Sequence, residues 1–502
     1  MTARPIMVQG TMSNVGKSIL CAGLCRIFAQ DGYRVRPFKS QNMALNSAVT
    51  ADGRELGRAQ AMQAEAAGVA ADVRMNPVLL KPETDRGSQV IVRGLPRATM
   101  QATDYFAFKH ELVDEVRACY DELAAESDII VIEGAGSPAE INLRHDDFVN
   151  MGMAHMVGAP VILAGDVDPG GVFAQLYGTL QLFDKADRSM VKAMIVNKFR
   201  GDVNILMPGI TQLERLCGMP VLGVVPMMHM DLDDEDSLSS RLAARGQGAG
   251  TLDVAVIRLP RLSNFTDFNE LDRHPLVGVR YVREAAELGR PDLVIIPGTK
   301  STMADLSFLR QQGLDVCIRR LAEQGTLVMG VCGGYQMLGE RLYDPAGVEG
   351  GGEAAGLGLL PTTTTFADEK SLVAGSGRLS IDAGGDCCSI DGLDLIGYEI
   401  HMGATELCAG ATDQGRVTTS DGRVVGHVSG NVLGTYLHGF FDAPGIVEAF
   451  VRLLMERRGL AYAPVQAEPR EAYRQRQYDL LAEGLRQALD IQKVYEILEA
   501  GA

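Results

Sequence analysis

The chain has 502 residues, of which 46% are hydrophobic and 22% are charged, and its formal net charge is −17. A chain of this length is longer than those that usually fold around a single hydrophobic core, so two or more domains are expected. The negative charge argues against nucleic acid as a partner, because nucleic-acid binding needs a basic surface. The sequence has neither an apolar run long enough to span a membrane nor the features of a secretory signal, so we expect a cytoplasmic location.

The first 226 residues alternate short apolar runs with helical patterns, as βαβ units do. Several strands are continuously apolar, which suits a mostly parallel sheet covered on both faces. Expected helices are Lys17–Gln30, Glu55–Gly68, Phe108–Ser127 and Val172–Phe183. Expected strands are Ile6–Gln9, Arg34–Phe38, Val78–Leu80, Gln89–Arg93, Ile129–Ile132, Val161–Ala164, Ala193–Val196 and Val221–Val225.

A change of composition follows residue 226. Residues 227–250 contain an acidic cluster and end in three closely spaced glycines, which predicts a linker. We interpret the acidic run as a solvated surface in preference to a metal site.

A second α/β domain is predicted for residues 251–448, and a helical extension for 449–502. This domain begins with four apolar strands and continues with a more β-rich stretch that has many turn residues. The expected strands are Asp253–Leu259, Val277–Tyr281, Leu293–Pro297, Leu327–Val331, Gly375–Ile381, Gly397–His401, Val424–Val428 and Val432–Leu437. The fold class is therefore α/β with two domains.

A phosphate-binding loop is predicted between the first strand and the first helix. Small residues let backbone N–H groups surround a phosphate, and the helix N-terminus adds positive potential. Lys17 would reach the outer phosphates, and Ser18 would bind Mg²⁺. Thr11 stands where the usual loop has its first glycine, so an ordinary tight turn is the alternative. The candidate nucleotide-binding residues are Gly10, Thr11, Ser13, Asn14, Val15, Gly16, Lys17 and Ser18.

Two further residues follow buried-type strands, where ligands sit in open α/β sheets. Glu133 could hold Mg²⁺ opposite Ser18, although a turn or helix-capping acid is the alternative. Asn197, together with Lys198 after it, is a candidate contact of the nucleotide base.

The second strong motif places Cys332 between an apolar strand and two glycines, with a short helix after them. This resembles a nucleophile elbow, in which a sharp turn exposes the sulfur and the helix N-terminus lowers the thiol pKa. The N–H of Gly333 could join an oxyanion hole, and Gly298 is a candidate second donor. A buried structural cysteine is the alternative.

His438 favours the catalytic interpretation, because it ends another apolar strand and a cysteine nucleophile needs a base near it in space. The other histidines lack such a setting, except His401, for which we expect a structural imidazole.

These motifs together resemble the glutamine amidotransferases of the cobalamin pathway. The segments around Cys332 and His438 resemble their class I glutamine amidotransferase domain, and the loop at Gly10–Ser18 resembles their P-loop, dethiobiotin-synthetase-like ATP domain. The segments Lys39–Ser47 and Asp52–Gln60 are similar to those of the cobyric acid synthase family in particular.

The resemblance implies amidation of four carboxylates of a corrinoid, adenosylcobyrinic acid a,c-diamide, with ATP, Mg²⁺ and glutamine and through acyl phosphates. It also implies that Cys332 forms a glutamyl thioester and that His438 moves protons. Many relatives place a glutamate two residues after the histidine, where this chain has Phe440, so a Cys–His dyad or an orienting group from elsewhere is expected. The resemblance suggests Ser18, Glu133 and Asp52 as Mg²⁺ ligands, and as substrate contacts Lys39, Gln41, Asn42 and Asn46.

Three alternatives remain open at this point. The first is the earlier a,c-diamide synthase of the same pathway. The second is a regulatory ATPase of the deviant phosphate-loop type, and the third is a glutaminase with a nucleotide-sensing domain.

Overall fold

A computed structural model describes residues 3–82, 87–228, 230–233, 250–381, 388–465 and 468–502. The chain forms two compact units, and each unit is made of segments that are not contiguous in the sequence. The first unit comprises Met1–Ala44, Glu55–Glu235 and Glu471–Ala502, and the second comprises Leu45–Arg54 and Asp236–Arg470. Most of the predicted linker at 227–250, including Asp234, Glu235 and Asp236, lies outside the described residues.

The centre of the first unit is a six-stranded sheet in which all neighbouring strands are parallel. Its inner strands are mostly apolar and mostly buried, as expected for a sheet covered on both faces. The strand order is Val221–Pro226, Val191–Phe199, Val161–Asp166, Arg4–Gly10, Ile129–Glu133 and Val35–Phe38.

A smaller four-stranded sheet also belongs to the first unit, with the order Gln41–Met43, Val78–Pro82, Gly87–Val92 and Leu95–Gln101. The predicted helix over 55–68 is wrong at its start, because Glu55–Gly57 is a strand and the helix begins at Arg58. The α-helices of this unit are Lys17–Gln30, Arg58–Ala66, Ala102–Phe108, Val113–Ala125, Met151–Val157, Val172–Leu182, Lys185–Met190, Val203–Cys217, Arg470–Ala488 and Ile491–Ala500, and its 3₁₀ turns are Val73–Met75, Lys109–Leu112 and Ile141–Asp146.

The last two helices of the chain pack in the core of the first unit. Leu481 and Leu485 are fully buried there, in one apolar cluster with the helix Lys17–Gln30. A Cβ at Gly23 would lie 2.2 Å from a methyl carbon of Leu485, so a larger residue there would require Leu485 to move. Residues 449–502, grouped as one extension in the sequence analysis, are therefore divided between the two units.

The second unit is built on a large mixed sheet. Five neighbouring strands are parallel, with the order Val277–Val282, Leu252–Ile257, Leu293–Ile296, Leu327–Val331 and Val432–Thr435. The sheet continues through Val424–Ser429, Gly415–Thr419, Thr362–Ile381, Arg341–Asp344 and Gly352–Ala355. Asp394–Leu407 pairs with Thr362–Ile381 and with the short strand Leu437–His438.

Two predicted strands, Gly375–Ile381 and Gly397–His401, are thus parts of longer strands that pair with each other. The unit also contains the strand Ser47–Val49. Its α-helices are Asn269–Asp272, Ala285–Leu288, Thr302–Gln311, Leu314–Glu323, Gly333–Leu338 and Ile446–Arg457, and its 3₁₀ turns are Phe265–Phe268, Cys388–Ile390 and Phe440–Asp442.

The expected fold class, α/β in two domains, is confirmed. Within the described ranges, no helix has the length and apolar character needed to cross a membrane.

Candidate active sites

The predicted phosphate loop lies where the central strand Arg4–Gly10 turns into the first long helix. Lys17 is buried, and its Nζ donates to the carbonyl oxygens of Met12 at 3.1 Å and of Gly136 at 3.0 Å. The ammonium group is therefore folded back along the loop. All residues that the sequence analysis assigned to the loop lie in this one turn.

Two residues at the end of a neighbouring strand, Asn197 and Lys198, form hydrogen bonds with the backbone of the loop. Asn197 donates from Nδ2 to the carbonyl oxygen of Val15 at 2.8 Å, so its amide holds the loop backbone. Lys198 forms an ion pair with Asp166 at 2.8 Å and donates to the carbonyl oxygen of Asn14. Both contacts hold the backbone of the loop.

Glu133 is the centre of a buried polar cluster in the first unit, with 1% of its surface exposed. Its Oε1 accepts hydrogen bonds from Ser18 Oγ at 2.9 Å and from Lys39 Nζ at 2.8 Å. Its Oε2 accepts from Gln63 Nε2 at 2.5 Å and from Gln60 Nε2 at 3.4 Å. The structure therefore brings three predicted residues together and adds two glutamines that sequence reasoning missed.

The two glutamines lie three residues apart on the helix Arg58–Ala66, so they share one face of it. Their spacing in the sequence does not show that both are fully buried, which is seen only in the structure. Asn42 donates from Nδ2 to Gln60 Oε1 at 3.1 Å, which connects another predicted residue to the cluster. Gln41 accepts a hydrogen bond from the Tyr105 hydroxyl at 2.5 Å instead.

The chemistry of Ser18 and Glu133 fits a magnesium ion. A hydroxyl and a carboxylate are oxygen ligands of the kind that Mg²⁺ binds, usually together with substrate phosphates and water. Lys39 shares the same carboxylate oxygen, so it neutralises the buried charge in this arrangement. Among the described residues, no group of three or more histidine, cysteine or acidic side chains forms a metal site on protein ligands alone.

Asn46 and Asp52, the remaining predicted residues of the N-terminal half, belong to the second unit. Asn46 is buried. Asp52 is exposed, accepts a hydrogen bond from the Thr50 hydroxyl and lies 3.3 Å from Arg54 Nε. The structure thus assigns these two residues and the Glu133 cluster to different units.

In the second unit, Cys332 ends a buried strand at a sharp turn. Its backbone has the left-handed value φ 51°, which is strained for a residue with a side chain. The helix that follows packs tightly, because a Cβ at Gly334 would lie 1.9 Å from the carbonyl oxygen of Ile296. The thiol is 3.4 Å from the carbonyl oxygen of Ile400. This is the geometry of a nucleophile elbow.

His438 is oriented by a buried carboxylate. Its Nδ1 lies 2.7 Å from Oδ2 of Asp267, and the other oxygen, Oδ1, accepts the N–H of Gly439 at 2.9 Å. The two side chains are 1% and 3% exposed, so the contact is shielded from water. With Nδ1 engaged in this way, Nε2 is the ring nitrogen left for Cys332.

Burial by itself lowers the pKa of His438, because it disfavours the charged imidazolium. The charge of Asp267 and its hydrogen bond outweigh this effect, and a hydrogen bond with Cys332 adds to them. Together they raise the pKa of His438 to about 10. The site therefore favours a protonated imidazole beside the sulfur.

The two predicted oxyanion donors lie beside this pair. A Cβ at Gly298 would be 2.8 Å from His438 Cε1, so the imidazole packs directly on the glycine backbone. A Cβ at Gly333 would be 2.7 Å from a methyl carbon of Thr299. The loop at 298–299 thus approaches both the histidine and the first residue after the nucleophile, whose N–H has no partner within its helix.

Phe440 occupies the position at which the resemblance leads us to expect an acid, and it is a core residue. It is 1% exposed and packs edge-to-face against Phe441 and Phe450. Asp267 takes the place of that acid from a point 171 residues before His438 in the sequence. Sequence reasoning missed it, although an aspartate between Phe265 and Phe268 is a sign of a buried, paired carboxylate.

Further buried polar residues lie beside the helix that follows Cys332. Gln336 accepts from the Thr302 hydroxyl at 2.9 Å and donates to the carbonyl oxygen of Met402 at 3.0 Å. His401 stacks on Tyr436 with 3.6 Å between ring centroids. Both ring nitrogens of His401 have partners, on Glu399 and on Gly403, which agrees with the structural role expected for it.

Comparison with known proteins supports a nucleotide unit followed by a glutamine unit. Residues 6–236 match the family described as CobQ/CobB/MinD/ParA nucleotide binding domain. Residues 253–446 match the family described as CobB/CobQ-like glutamine amidotransferase domain. Each of the two sites described above falls within one of these matches.

Comparison with full-length relatives identifies the family more specifically than the two domain matches do. The chain is 54% identical to the cobyric acid synthase of Ruminiclostridium cellulolyticum, with 99% of this chain and 98% of the relative covered. It is 51% identical to that of Lachnoclostridium phytofermentans, with 99% and 100% covered, and 50% identical to that of Salmonella heidelberg, with 98% of each covered. The chain therefore belongs to the cobyric acid synthase family, and it is a carbon–nitrogen ligase that takes its amide nitrogen from glutamine.

Proposed function

We propose that the chain converts four peripheral carboxylates (b, d, e and g) of adenosylcobyrinic acid a,c-diamide into amides, with one ATP and one glutamine for each. The names of the full-length relatives support the product class. The separate Lys17 and Cys332 sites support a division of labour, in which one unit activates the carboxylate and the other releases ammonia.

The observation that carries the glutamine half is the contact of His438 with Asp267 beside Cys332. In the proposed first step, the Cys332 thiolate attacks the side-chain amide carbon of glutamine. The oxyanion is stabilised by the N–H groups of Gly333 and Gly298. The imidazolium of His438 then gives its proton from Nε2 to the departing nitrogen, which leaves as ammonia, and a glutamyl thioester remains.

In the second step, neutral His438 takes a proton from water, and the resulting hydroxide attacks the thioester carbon. The carbon–sulfur bond breaks, glutamate leaves, and the thiolate–imidazolium pair is restored. Asp267 keeps Nδ1 protonated in both steps, so that Nε2 alone exchanges protons with the reactants.

The first unit would supply the activated carboxylate. Lys17 and the loop backbone would hold the phosphates of ATP, and Ser18 and Glu133 would hold Mg²⁺, which supplies charge neutralisation when bound. The substrate carboxylate would attack the terminal phosphoryl group, the bond from that phosphorus to the bridging oxygen would break, and ADP would leave an acyl phosphate behind. Ammonia would then attack the acyl carbon and displace phosphate, which carries away the proton that the nitrogen loses, to give the amide. We assign Lys39 to the neutralisation of negative charge at this step, because it is buried against Glu133.

A mass spectrum of the corrinoid product tests the proposal. The full chain is incubated with the a,c-diamide, ATP, Mg²⁺ and glutamine labelled with ¹⁵N at the amide. We expect four labelled nitrogens per corrinoid at completion. A parallel incubation replaces the a,c-diamide with cobyrinic acid. The proposal is wrong if the a,c-diamide is left unchanged and two labels appear on cobyrinic acid, because that result identifies the earlier synthase of the pathway.

A further inference from the structure

A short stretch near the N-terminus, Leu45–Arg54, belongs to the second unit although the residues on both sides of it belong to the first. It contains the strand Ser47–Val49 and a tight turn, in which the N–H of Thr50 donates to the carbonyl oxygen of Arg54 at 2.8 Å. We call Leu45–Arg54 the crossing segment. Ser47 within it is fully buried.

The N–H of Ser47 donates to Asn264 Oδ1 at 3.1 Å. Asn264 is 2% exposed and has the left-handed backbone value φ 52°. Its own carbonyl oxygen accepts the N–H of Asp267 at 3.0 Å, which closes the turn that carries the carboxylate. The position of Asp267 beside His438 therefore depends on a residue that the crossing segment holds.

The carbonyl oxygen of Ser47 is 3.4 Å from the hydroxyl of Tyr398, which donates to it. The ring of Tyr398 stacks on the imidazole of His438, with 5.4 Å between centroids and 22° between planes. The same two residues are partners in antiparallel strand pairing. Both backbone groups of Ser47 thus bind residues that contact or support the histidine.

We propose that Asn264 and Tyr398 are positioning residues of the glutaminase centre, and that the crossing segment uses them to couple glutamine hydrolysis to ligand binding in the first unit. This inference rests on the proposed function. Immediately before the crossing segment the chain passes through Lys39 and Asn42, and soon after it through Gln60, and all three belong to the Glu133 cluster. A rearrangement of that cluster on ligand binding is transmitted through the covalent chain to Ser47, and from there to the histidine.

The experiment measures glutamine hydrolysis by the full chain, first with glutamine alone and then with ATP, Mg²⁺ and the corrinoid a,c-diamide added. Tyr398→Phe removes the hydroxyl that binds Ser47 and keeps the stacked ring. Asn264→Gly keeps the left-handed backbone and removes the acceptor, whereas Asn264→Asp keeps an oxygen there. Tyr343→Phe, elsewhere in the second unit, is the matched control.

For the wild type and Tyr343→Phe we expect the ligands to raise kcat for hydrolysis roughly 5- to 100-fold, the usual range of coupling between sites. In Tyr398→Phe and Asn264→Gly this stimulation falls towards one, with little change in the KM for glutamine. Asn264→Asp recovers most of it. Circular dichroism and amidation with added ammonium verify that each variant is folded and that its first unit works.

Two results overturn the inference. One is full stimulation in both Tyr398→Phe and Asn264→Gly, and the other is a wild type whose hydrolysis is insensitive to the added ligands. Either result leaves the proposed function standing if labelled amides still form. A wild type that makes no amide from glutamine rejects the proposed function itself, so the two failures are distinguishable.

Discussion

The carboxylate of Asp267 lies 2.7 Å from Nδ1 of His438, and both side chains are almost completely buried. This contact supplies the orienting acid that the chain lacks at position 440. It comes from a 3₁₀ turn at the start of the second unit, whereas the histidine lies near the end of the same unit. The predictions below test this contact and the division of chemistry between the two units.

Asp267→Asn should reduce glutamine hydrolysis by about 10²- to 10⁴-fold, because an uncharged partner no longer stabilises the imidazolium or enforces its orientation. Phe440→Leu should change turnover by only a modest factor and cost about 1 kcal/mol of stability, since it is a conservative core substitution. Steady-state glutaminase assays and urea denaturation measure both effects. Equal losses of activity in the two variants would contradict the role of Asp267.

The pH dependence of hydrolysis should report the raised pKa of His438, which is about 10. Asp267 favours the protonated imidazole, so its replacement by asparagine lowers this pKa. The descending alkaline limb of kcat/KM should therefore move to lower pH in Asp267→Asn. A limb at the same pH in both proteins would show that another group is responsible.

The same shift has a consequence for stability. Because the folded-state pKa of His438 exceeds its ordinary value of 6.5, the charged pair stabilises the fold fully below about pH 6.5, and this contribution is lost as the pH rises through 10. The free energy of unfolding of the wild type should decline over this window, whereas that of Asp267→Asn should decline less. Urea denaturation at several pH values measures the difference.

Cys332→Ser should abolish amidation with glutamine and retain amidation with ammonium at mildly alkaline pH, because free ammonia can attack the activated carboxylate directly. Lys17→Ala should lose both activities, since no nitrogen source replaces phosphate stabilisation. Product formation with each nitrogen source is the measurement, after circular dichroism has shown that both variants fold. Glutamine use by Cys332→Ser at the normal rate would exclude it as the nucleophile.

The buried pair Lys39–Glu133 has a matched control in the same unit, the pair Lys81–Glu55, whose charged atoms are 2.7 Å apart. Lys39→Met and Lys81→Met should each lower stability by about 3 kcal/mol, because each leaves a buried carboxylate without its cation. Only Lys39→Met should also remove ammonium-driven amidation at permissive temperature. Retained amidation in Lys39→Met would assign that lysine a purely structural role.

Much of the fold and part of the candidate sites followed from local pattern. The apolar strands that carry Cys332 and Glu133 were predicted because their residues are continuously hydrophobic and end at glycine or an acid. The phenylalanines beside Asp267 are a local sign of burial, but its pairing with His438 could not be predicted, because the two residues are distant in the sequence and no spacing rule connects them. Gln60 was missed for a related reason, since its role appears only when the helix packs its polar side against Glu133.

The return of the last two helices to the first unit means that its polypeptide is discontinuous. A fragment that stops at residue 226 would lack Leu481 and Leu485 and expose the apolar face of the helix Lys17–Gln30 to water. To produce this unit separately, the terminal helices must be joined to the N-terminal half. A circularly permuted gene or a fusion with a short linker would do this. The glutamine unit is discontinuous as well, because a fragment of residues 236–470 would lack the crossing segment Leu45–Arg54 and with it the partner of Asn264.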